Sequence, residues 1–275
     1  QRIRPRSIQW VHTGPIQWVI RVDYQIDHTT IVQEYVLRHG SDRLDVHTQI
    51  DWAHRRTLLR ALFPTTVLSR KARYDLSAGF IERPTHQNTP WEKAQYEVAS
   101  HRWCDLSQRD FGVAILNDGL YGHSARRNEL GLTLVKSGVY PDFFADEGTH
   151  QFSYSIFPHK GEDLMPVMLE AYALNHPLHL FPGTARVHWG IRRISDPNLR
   201  ILAWKKGKRG GAVLRLAEMI GAQGIATIDF SSPWQSISKT TILEERAQVL
   251  VNQSDSLSVE YRPFEIITLV MREQE

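Results

Sequence analysis

Apolar residues recur at every second position through much of the first third of the chain. Trp18, Ile20, Val22, Tyr24 and Ile26 alternate with Val19, Arg21, Asp23, Gln25 and Asp27, and only Val19 breaks the polar row. Successive side chains of a strand point to opposite faces, so a period of two this long predicts a half-buried strand. Asp27-His28-Thr29-Thr30 reads as a turn, Ile31 to Arg38 as the returning strand, and His39-Gly40-Ser41-Asp42 as a second turn. Leu44, Val46, Thr48, Ile50 and Trp52 then alternate with Asp45, His47, Gln49 and Asp51. Three long strands joined by short turns predict an antiparallel meander. Leu58 to Phe63 predicts a further strand, ended by Pro64.

Ser77 to Pro90 reads as irregular. Strands are predicted again near Tyr96–Ala99, Gly112–Leu116, Leu130–Val135 and Phe152–Phe157. One segment has another period. Leu164, Val167, Met168, Ala171, Tyr172 and Leu174 form a helical stripe between Asp163 and Asn175. Asp163 suits a cap, Pro166 the first turn, and Asn175-His176-Pro177 a stop. A lone short helix among strands is expected to lie over a sheet edge. Leu199–Trp204 and Ala212–Glu218 flank Lys205-Lys206-Gly207-Lys208-Arg209-Gly210-Gly211, a hairpin with a basic tip. Phosphate binding is one reading of that tip; with no aromatic residue among the charges, a solvated turn is the stronger one. Val259 to Met271 is expected to be one closing strand.

Composition narrows the class. The 275 residues are 41% hydrophobic, enough for a large core in an all-β chain. The net charge of +3 is too mild for the basic stripe of a nucleic-acid binder, so no nucleic-acid partner is expected. Cys104 is the one cysteine, which fits a reducing compartment and reads as a small buried thiol. No stretch approaches the roughly 20 apolar residues of a membrane span, and Gln1–Pro5 leads into no apolar targeting segment. A cytoplasmic protein with no membrane partner is expected. The first residue is Gln, not Met, so the chain is expected to be cut from something longer.

Familiar catalytic motifs do not appear. The sequence holds no CxxC, HExxH or GxSxG, and no glycine-rich phosphate loop between a strand and a helix. No structural metal site and no serine nucleophile are therefore expected in this chain. Paired carboxylates hydrolyse glycosides; Asp118, Asp142, Asp146 and Glu147 are candidates by type, although acidic residues in turns are mostly just solvated. The most suggestive stretch is Ala114-Ile115-Leu116-Asn117-Asp118-Gly119-Leu120-Tyr121-Gly122-His123, an apolar strand running into a polar, glycine-bearing turn. Asn117, Asp118, Tyr121 and His123 stand where a polar ligand could be met. An ordinary hairpin loop is the plainer reading of the stretch alone.

The residues around it carry a resemblance. Gly112-Val113-Ala114-Ile115-Leu116-Asn117-Asp118-Gly119-Leu120-Tyr121-Gly122 resembles the "GVALLNDCKYGY" segment of family 38 glycoside hydrolases, the α-mannosidases. Leu130-Gly131-Leu132-Thr133-Leu134-Val135-Lys136-Ser137 is similar to the family's "LRLSLLRS". Tyr140-Pro141-Asp142, Ala145-Asp146-Glu147-Gly148, His150-Gln151-Phe152-Ser153-Tyr154 and Phe157-Pro158-His159 follow in the family's order. Upstream, Asp51-Trp52 with His54-Arg55-Arg56-Thr57-Leu58-Leu59, and Ile81-Glu82-Arg83-Pro84-Thr85-His86-Gln87-Asn88-Thr89, also match. Downstream, so do Glu170-Ala171-Tyr172 and Arg262-Pro263-Phe264-Glu265. No single motif decides the matter; the ordered set is specific.

The resemblance implies an all-β fold: a large antiparallel super-sandwich of the galactose-mutarotase-like type over 1–198, a smaller terminal β-sandwich over 199–275, and one or two short helices. It implies the C-terminal portion of a retaining α-mannosidase, inactive alone, whose partners are its own N-terminal catalytic domain and an α-mannoside. Zinc is expected in that missing domain and no cofactor in this chain; homo-oligomerisation stays open. Asn117, Asp118, Tyr121 and Lys136 are the implied substrate-cleft residues, and Glu82, Arg83 and His86 the implied domain-interface residues. The family motif often has Arg where Lys136 stands, so a bidentate contact would be lost there. The loop of Glu82, Arg83 and His86 reads equally well as one held by its own polar contacts. Two alternatives remain, a stand-alone carbohydrate-binding module and a mutarotase-like sugar epimerase, the latter needing a His acid and a carboxylate base in one cleft.

Overall fold

The computed structural model describes residues 2–184, 190–208 and 210–273; Arg209 of the basic tip lies outside them. The chain forms two compact units. The first holds residues up to Leu76 and Ile81–Pro177; the second holds Ser77–Phe80 and the chain from Leu178 onward.

In chain order the first part comprises β1 (Pro5–Thr13), β2 (Gln17–Ile26), β3 (Thr29–Arg38), β4 (Leu44–Trp52), β5 (Thr57–Pro64), β6 (Lys71–Asp75) and β7 (Phe80–Pro84). Then come α1 (Pro90–Ala94), β8 (Val98–Ala99), β9 (Trp103–Ser107), β10 (Gly112–Asn117), β11 (Gly122–Arg126), β12 (Glu129–Ser137), β13 (Gly148–His159) and α2 (Met165–Asn175). A nine-stranded sheet runs β1-β2-β3-β4-β13-β10-β9-β6-β7, and a four-stranded sheet runs β5-β12-β11-β8. The predicted meander is β2-β3-β4, paired antiparallel in continuous register. Both sheets feed one core: Val46, Ile50, Cys104, Leu106 and Ile115 from the larger, Leu59, Leu130 and Leu132 from the smaller. Cys104 is fully buried, and burial pushes its thiol pKa well up.

Three expectations change. The stretch from Ser77 to Pro90 is not wholly irregular, since it contains β7. At its end α1 begins, which Thr89 and Glu92 close in a reciprocal capping box. The helix α2 does not cover a sheet edge. It packs on β9, β10 and β13, interior strands of the nine-stranded sheet. The reason lies in the phase of β10: Val113 and Ile115 face the sandwich core, so Ala114 and Leu116, also buried, face the other way and need a cover. Val167, Met168 and Ala171 of α2 are buried accordingly. Arg43 pins the helix, its Nε 2.7 Å from Asp45 and its Nη1 3.0 Å from Glu170. Finally, Val259–Met271 is not one strand but two, separated at Arg262–Glu265.

A close approach on the helix-side face explains Gly112. A Cβ there would meet the His159 ring at 2.4 Å and Ser107 Cβ at 2.7 Å. His159 Nε2 in turn lies 2.7 Å from Oδ1 of the fully buried Asp105. Gly112→Ala should therefore destabilise the chain by about 2 kcal/mol, the usual cost of overpacking. Urea titration checks this, and a change below about 0.5 kcal/mol would show that the ring yields freely.

The second unit is built on β14 (Ile191–Ile194), β15 (Leu199–Lys206), β16 (Ala212–Glu218), β17 (Gly224–Thr240), β18 (Gln248–Tyr261) and β19 (Ile266–Arg272). They form a sheet in the order β14-β17-β19-β16-β15, with β18 paired to β17. Leu214, Leu216, Ile228, Phe230, Ile237, Leu269 and Met271 make its core. The break before β19 has a local cause. Pro263 removes a ladder donor, Phe264 takes φ +58°, and the fully buried Glu218 carboxylate accepts the N–H groups of Ile220, Gly221 and Phe264 at 2.8–3.0 Å.

Candidate functional site

The strand-and-turn motif is not a hairpin. β10 belongs to the nine-stranded sheet and β11 to the four-stranded one, so residues 118–121 cross from sheet to sheet. Such a crossover must bend sharply, and Gly119 does so at φ +142°. Asn117 holds the bend: its Oδ1 accepts the N–H groups of Gly119 and Leu120 at 2.9 and 2.8 Å, the Asx arrangement that short polar side chains favour. Its Nδ2 lies 3.1 Å from Nε2 of His123, which is also 3.2 Å from the Leu120 carbonyl oxygen. Asn117 is 0% exposed and His123 1%. These two side chains are therefore the frame of the loop rather than its outer surface. Burial depresses the His123 pKa to about 4, so the ring is neutral at pH 7.

The frame presents other groups outward. Asp118 is exposed, with one oxygen accepting the Ser153 N–H at 2.8 Å; burial of the rest raises its carboxyl pKa, and the Ser153 contact opposes this. Tyr121 is 54% exposed, and its ring lies 5.7 Å from that of His101. The Lys136 side chain is 66% exposed, its Nζ 3.7 Å from Glu97. Glu97 also accepts from Thr133 Oγ1, and Gly122 leaves room for that carboxylate, since a Cβ there would come within 2.3 Å of it. The loop is thus bordered by Glu97, His101, Tyr121 and Lys136. Asn175 at the end of α2 reaches back to donate to the Asn117 carbonyl at 2.9 Å.

Behind His101 stands a cluster that sequence reading missed. Asp75 is fully buried; its Oδ2 accepts from Arg102 N at 3.0 Å and Arg102 Nε at 2.9 Å, with His101 Nδ1 at 3.8 Å. Its Oδ1 has no hydrogen-bond partner among the described residues. Burial raises the Asp75 pKa, and Arg102 only partly opposes it. The nearest signal in the sequence was the pair His101-Arg102 before an apolar strand, which by itself means little.

The other candidate carboxylates serve their own loop. Asp142 accepts the Phe144 N–H at 2.9 Å, and Glu147 pairs with Arg55, whose guanidinium covers the rings of Phe143 and Phe144 at 4.8 and 4.4 Å. Arg83 and His86 line one small cleft together with Glu92 and Gln95, and Glu82 stands apart from them. Neighbours on a strand point to opposite faces: Glu82 pairs with Lys71 and Arg73, whereas Arg83 donates to Gln95. His86 meets Glu92, which also accepts the N–H groups of Asn88 and Thr89. Among the described residues, no group of three or more His, Cys, Asp or Glu is placed to hold a metal, and no helix is long and apolar enough to cross a membrane.

Comparison with known proteins places this geometry. Residues 1–144 match the model of the glycosyl hydrolases family 38 C-terminal domain, and residues 198–269 that of the family 38 C-terminal beta sandwich domain. Alpha-mannosidase G of Dictyostelium discoideum is 34% identical over 94% of this chain and 25% of its own length. Alpha-mannosidase 2C1 of Mus musculus is 35% identical over 89% of this chain and 24% of its own. The chain thus spans about a quarter of the length of these relatives. Crystallographic alpha-mannosidase from Enterococcus faecalis V583 shares the fold, with a TM-score of 0.78 over 98% of this chain and 35% of that one at 16% identity. Two domain models matched in order, on an antiparallel two-unit β fold, mean that the chain belongs to glycosyl hydrolase family 38 and carries its C-terminal β domains.

Proposed function

We propose that this chain is the β portion of an α-mannosidase that hydrolyses terminal α-mannosides, where it supports a catalytic domain and walls part of the substrate cleft. The observation that carries the reading is the crossover loop. A buried frame, Asn117 and His123, holds Asp118 and Tyr121 outward in one fixed turn. A sugar needs such a wall: paired polar groups meet its hydroxyls, and an aromatic ring covers its C–H face. We assign the cleft contacts to Asp118, Tyr121 and Lys136, with Asn117 acting through the loop it holds. Arg83 and His86, which share one cleft, are assigned to the face toward the catalytic domain, and Glu82, on the opposite face of β7, supports that strand through Lys71 and Arg73. The nucleophile and the zinc belong to that other domain. A cytoplasmic location is part of the same proposal, supported by the single buried cysteine; the second family match begins at residue 198, whereas the compact second unit already begins at Leu178 and takes in β14.

The test is turnover of an aryl α-mannoside. The purified 275-residue chain should show none, with or without added zinc. A chimera that joins it to the remainder of the Dictyostelium relative should be active. In that chimera Tyr121→Ala and Lys136→Met should each lower kcat/KM about tenfold, some 1.4 kcal/mol of transition-state stabilisation. Turnover by the chain alone would overturn the reading.

A further inference from the structure

The second unit carries a cleft of about 200 Å³ that the sugar-cleft reading does not use. Its floor is the outer face of β17 and β19. Ile237, Leu269 and Met271 point into the core of this unit, so the alternate residues Ser236, Ser238, Val270 and Arg272 point the other way. Ser236 is in register with Arg272, and Ser238 with Val270. Two segments rim the floor. One is the basic hairpin tip, contributing Gly207, Lys208 and Gly210; the other is the β17–β18 connection, contributing Glu244, Arg246 and Ala247.

The rim is built rather than draped. Glu244 accepts from Lys205 Nζ and, at 2.8 Å, from the Lys208 N–H, tying the two segments together. Arg215 Nη2 donates to the Ile242 carbonyl at 2.9 Å and fixes the start of the connection. Gly211 lets the hairpin lie against β19, since a Cβ there would meet the Met271 carbonyl oxygen at 2.1 Å.

The charge balance of this cleft is one-sided. Lys205 and the Lys208 N–H occupy the Glu244 carboxylate. The side chains of Lys208, Arg246 and Arg272 line the cleft and have no hydrogen-bond or ion-pair partner among the described residues. Ser238, 8% exposed, has a hydroxyl on the floor that is likewise unpartnered among them. Two unpaired guanidinium groups, with the Lys208 ammonium held in the field of Glu244 beside them, over serine hydroxyls form the donor set of an oxyanion site. Among the described residues no aromatic ring lines the cleft, which argues against a neutral sugar or single-stranded nucleic acid, both of which are held by stacking.

We propose that this cleft binds a phosphomonoester dianion, with Lys208, Arg246 and Arg272 meeting its charge and Ser236 and Ser238 donating to its oxygens. The volume exceeds the share of several waters, at ~30 Å³ each, and so leaves room for part of the group that carries the phosphate. The site lies entirely within the second unit and is independent of the sugar-cleft assignment.

Titration calorimetry on the whole chain at low salt tests it, with inorganic phosphate, glucose 6-phosphate and glucose as probes. Phosphate-bearing probes should bind and glucose should not. Lys208→Ala and Arg272→Ala should each weaken binding about fivefold or more, as loss of a charge-assisted contact does. Lys206→Ala, on the same hairpin but outside the cleft lining, should leave binding unchanged. Tighter binding of the ester than of free phosphate supports a carried anion; equal binding supports the inorganic ion as ligand. No binding of either phosphate probe, or a loss on Lys206→Ala equal to that on Lys208→Ala, overturns the site. Ser238→Ala, with the cations intact and its thermal melt matched to the parent, should weaken binding too.

Discussion

Acidification from pH 6.5 to about 4 should cost the chain roughly 3 kcal/mol through the His123 imidazole. In the unfolded chain an imidazole takes up a proton below about 6.5. In the folded chain burial delays this to about 4. Between these values the unfolded state binds more protons, so stability rises with pH and is lost as pH falls through the window. Below the folded pKa both states are protonated and the loss is complete. Asp75 and Asp118 work in the opposite sense. Their folded pKa values are raised, so they add stability as pH falls and lose it as pH rises through the folded value.

A variant separates these terms. His123→Gln removes the imidazole and keeps a polar group against Asn117. It should be less stable than the parent at pH 7 and show a flatter profile from pH 6.5 to 4 in urea titrations. Parallel profiles for parent and variant would exclude His123 as the source. The effect reaches the candidate site because a protonated Nε2 can no longer accept from Asn117 Nδ2, although it can still donate to the Leu120 carbonyl. In the chimeric enzyme, loss of turnover on acidification should then track loosening of Tyr121 and Asp118.

Glu218→Ala should destabilise the second unit by about 3 kcal/mol or more, since removing a buried acceptor strands several donors at once. The Glu218 carboxylate accepts three backbone N–H groups, from Ile220, Gly221 and Phe264. It thereby holds the turn after β16 and the Arg262–Glu265 break before β19 in one arrangement. Glu218→Gln can serve the Gly221 and Phe264 groups with its oxygen but sets an amide N–H₂ against Ile220, so about half the loss is expected. Amide hydrogen exchange in β16 and β19 measures both. Opening energies unchanged in the alanine variant would mean that water replaces the carboxylate without cost.

The motif Arg262-Pro263-Phe264-Glu265 thereby gains a physical meaning. Pro263 and the positive φ of Phe264 end one strand, and Glu218, more than forty positions earlier, receives the freed N–H. The sequence showed the residues as a family marker inside what looked like one continuous strand. It gave no sign that a buried carboxylate waited for the turn, because that partner is distant along the chain.

The meander of β2, β3 and β4 was legible because alternation is a local property of a half-buried strand. The stripe of α2 was legible for the same reason. Its position was not. Where a helix docks depends on which sheet face is left apolar, and that followed from Ala114 and Leu116 facing away from the sandwich core. Asn117, Asp118 and Tyr121 stood out by type and order, but the division of labour among them did not. Asn117 looks like a ligand group in the sequence; it is a buried loop frame because β10 and β11 lie in different sheets and the crossover needs an internal acceptor.

By itself, then, the order of residues determined the β class, the strand periods, the helix and the family. Those follow from side-chain alternation, from turn residues and from short motifs, all of which act over a few positions. Tertiary structure alone decided which polar groups are buried and which converge. It brought Asp75 to Arg102 and His101, shut His123 away from water, and aligned Lys208, Arg246 and Arg272 around one cleft. Burial and convergence depend on strands paired across long separations, and no local pattern records them.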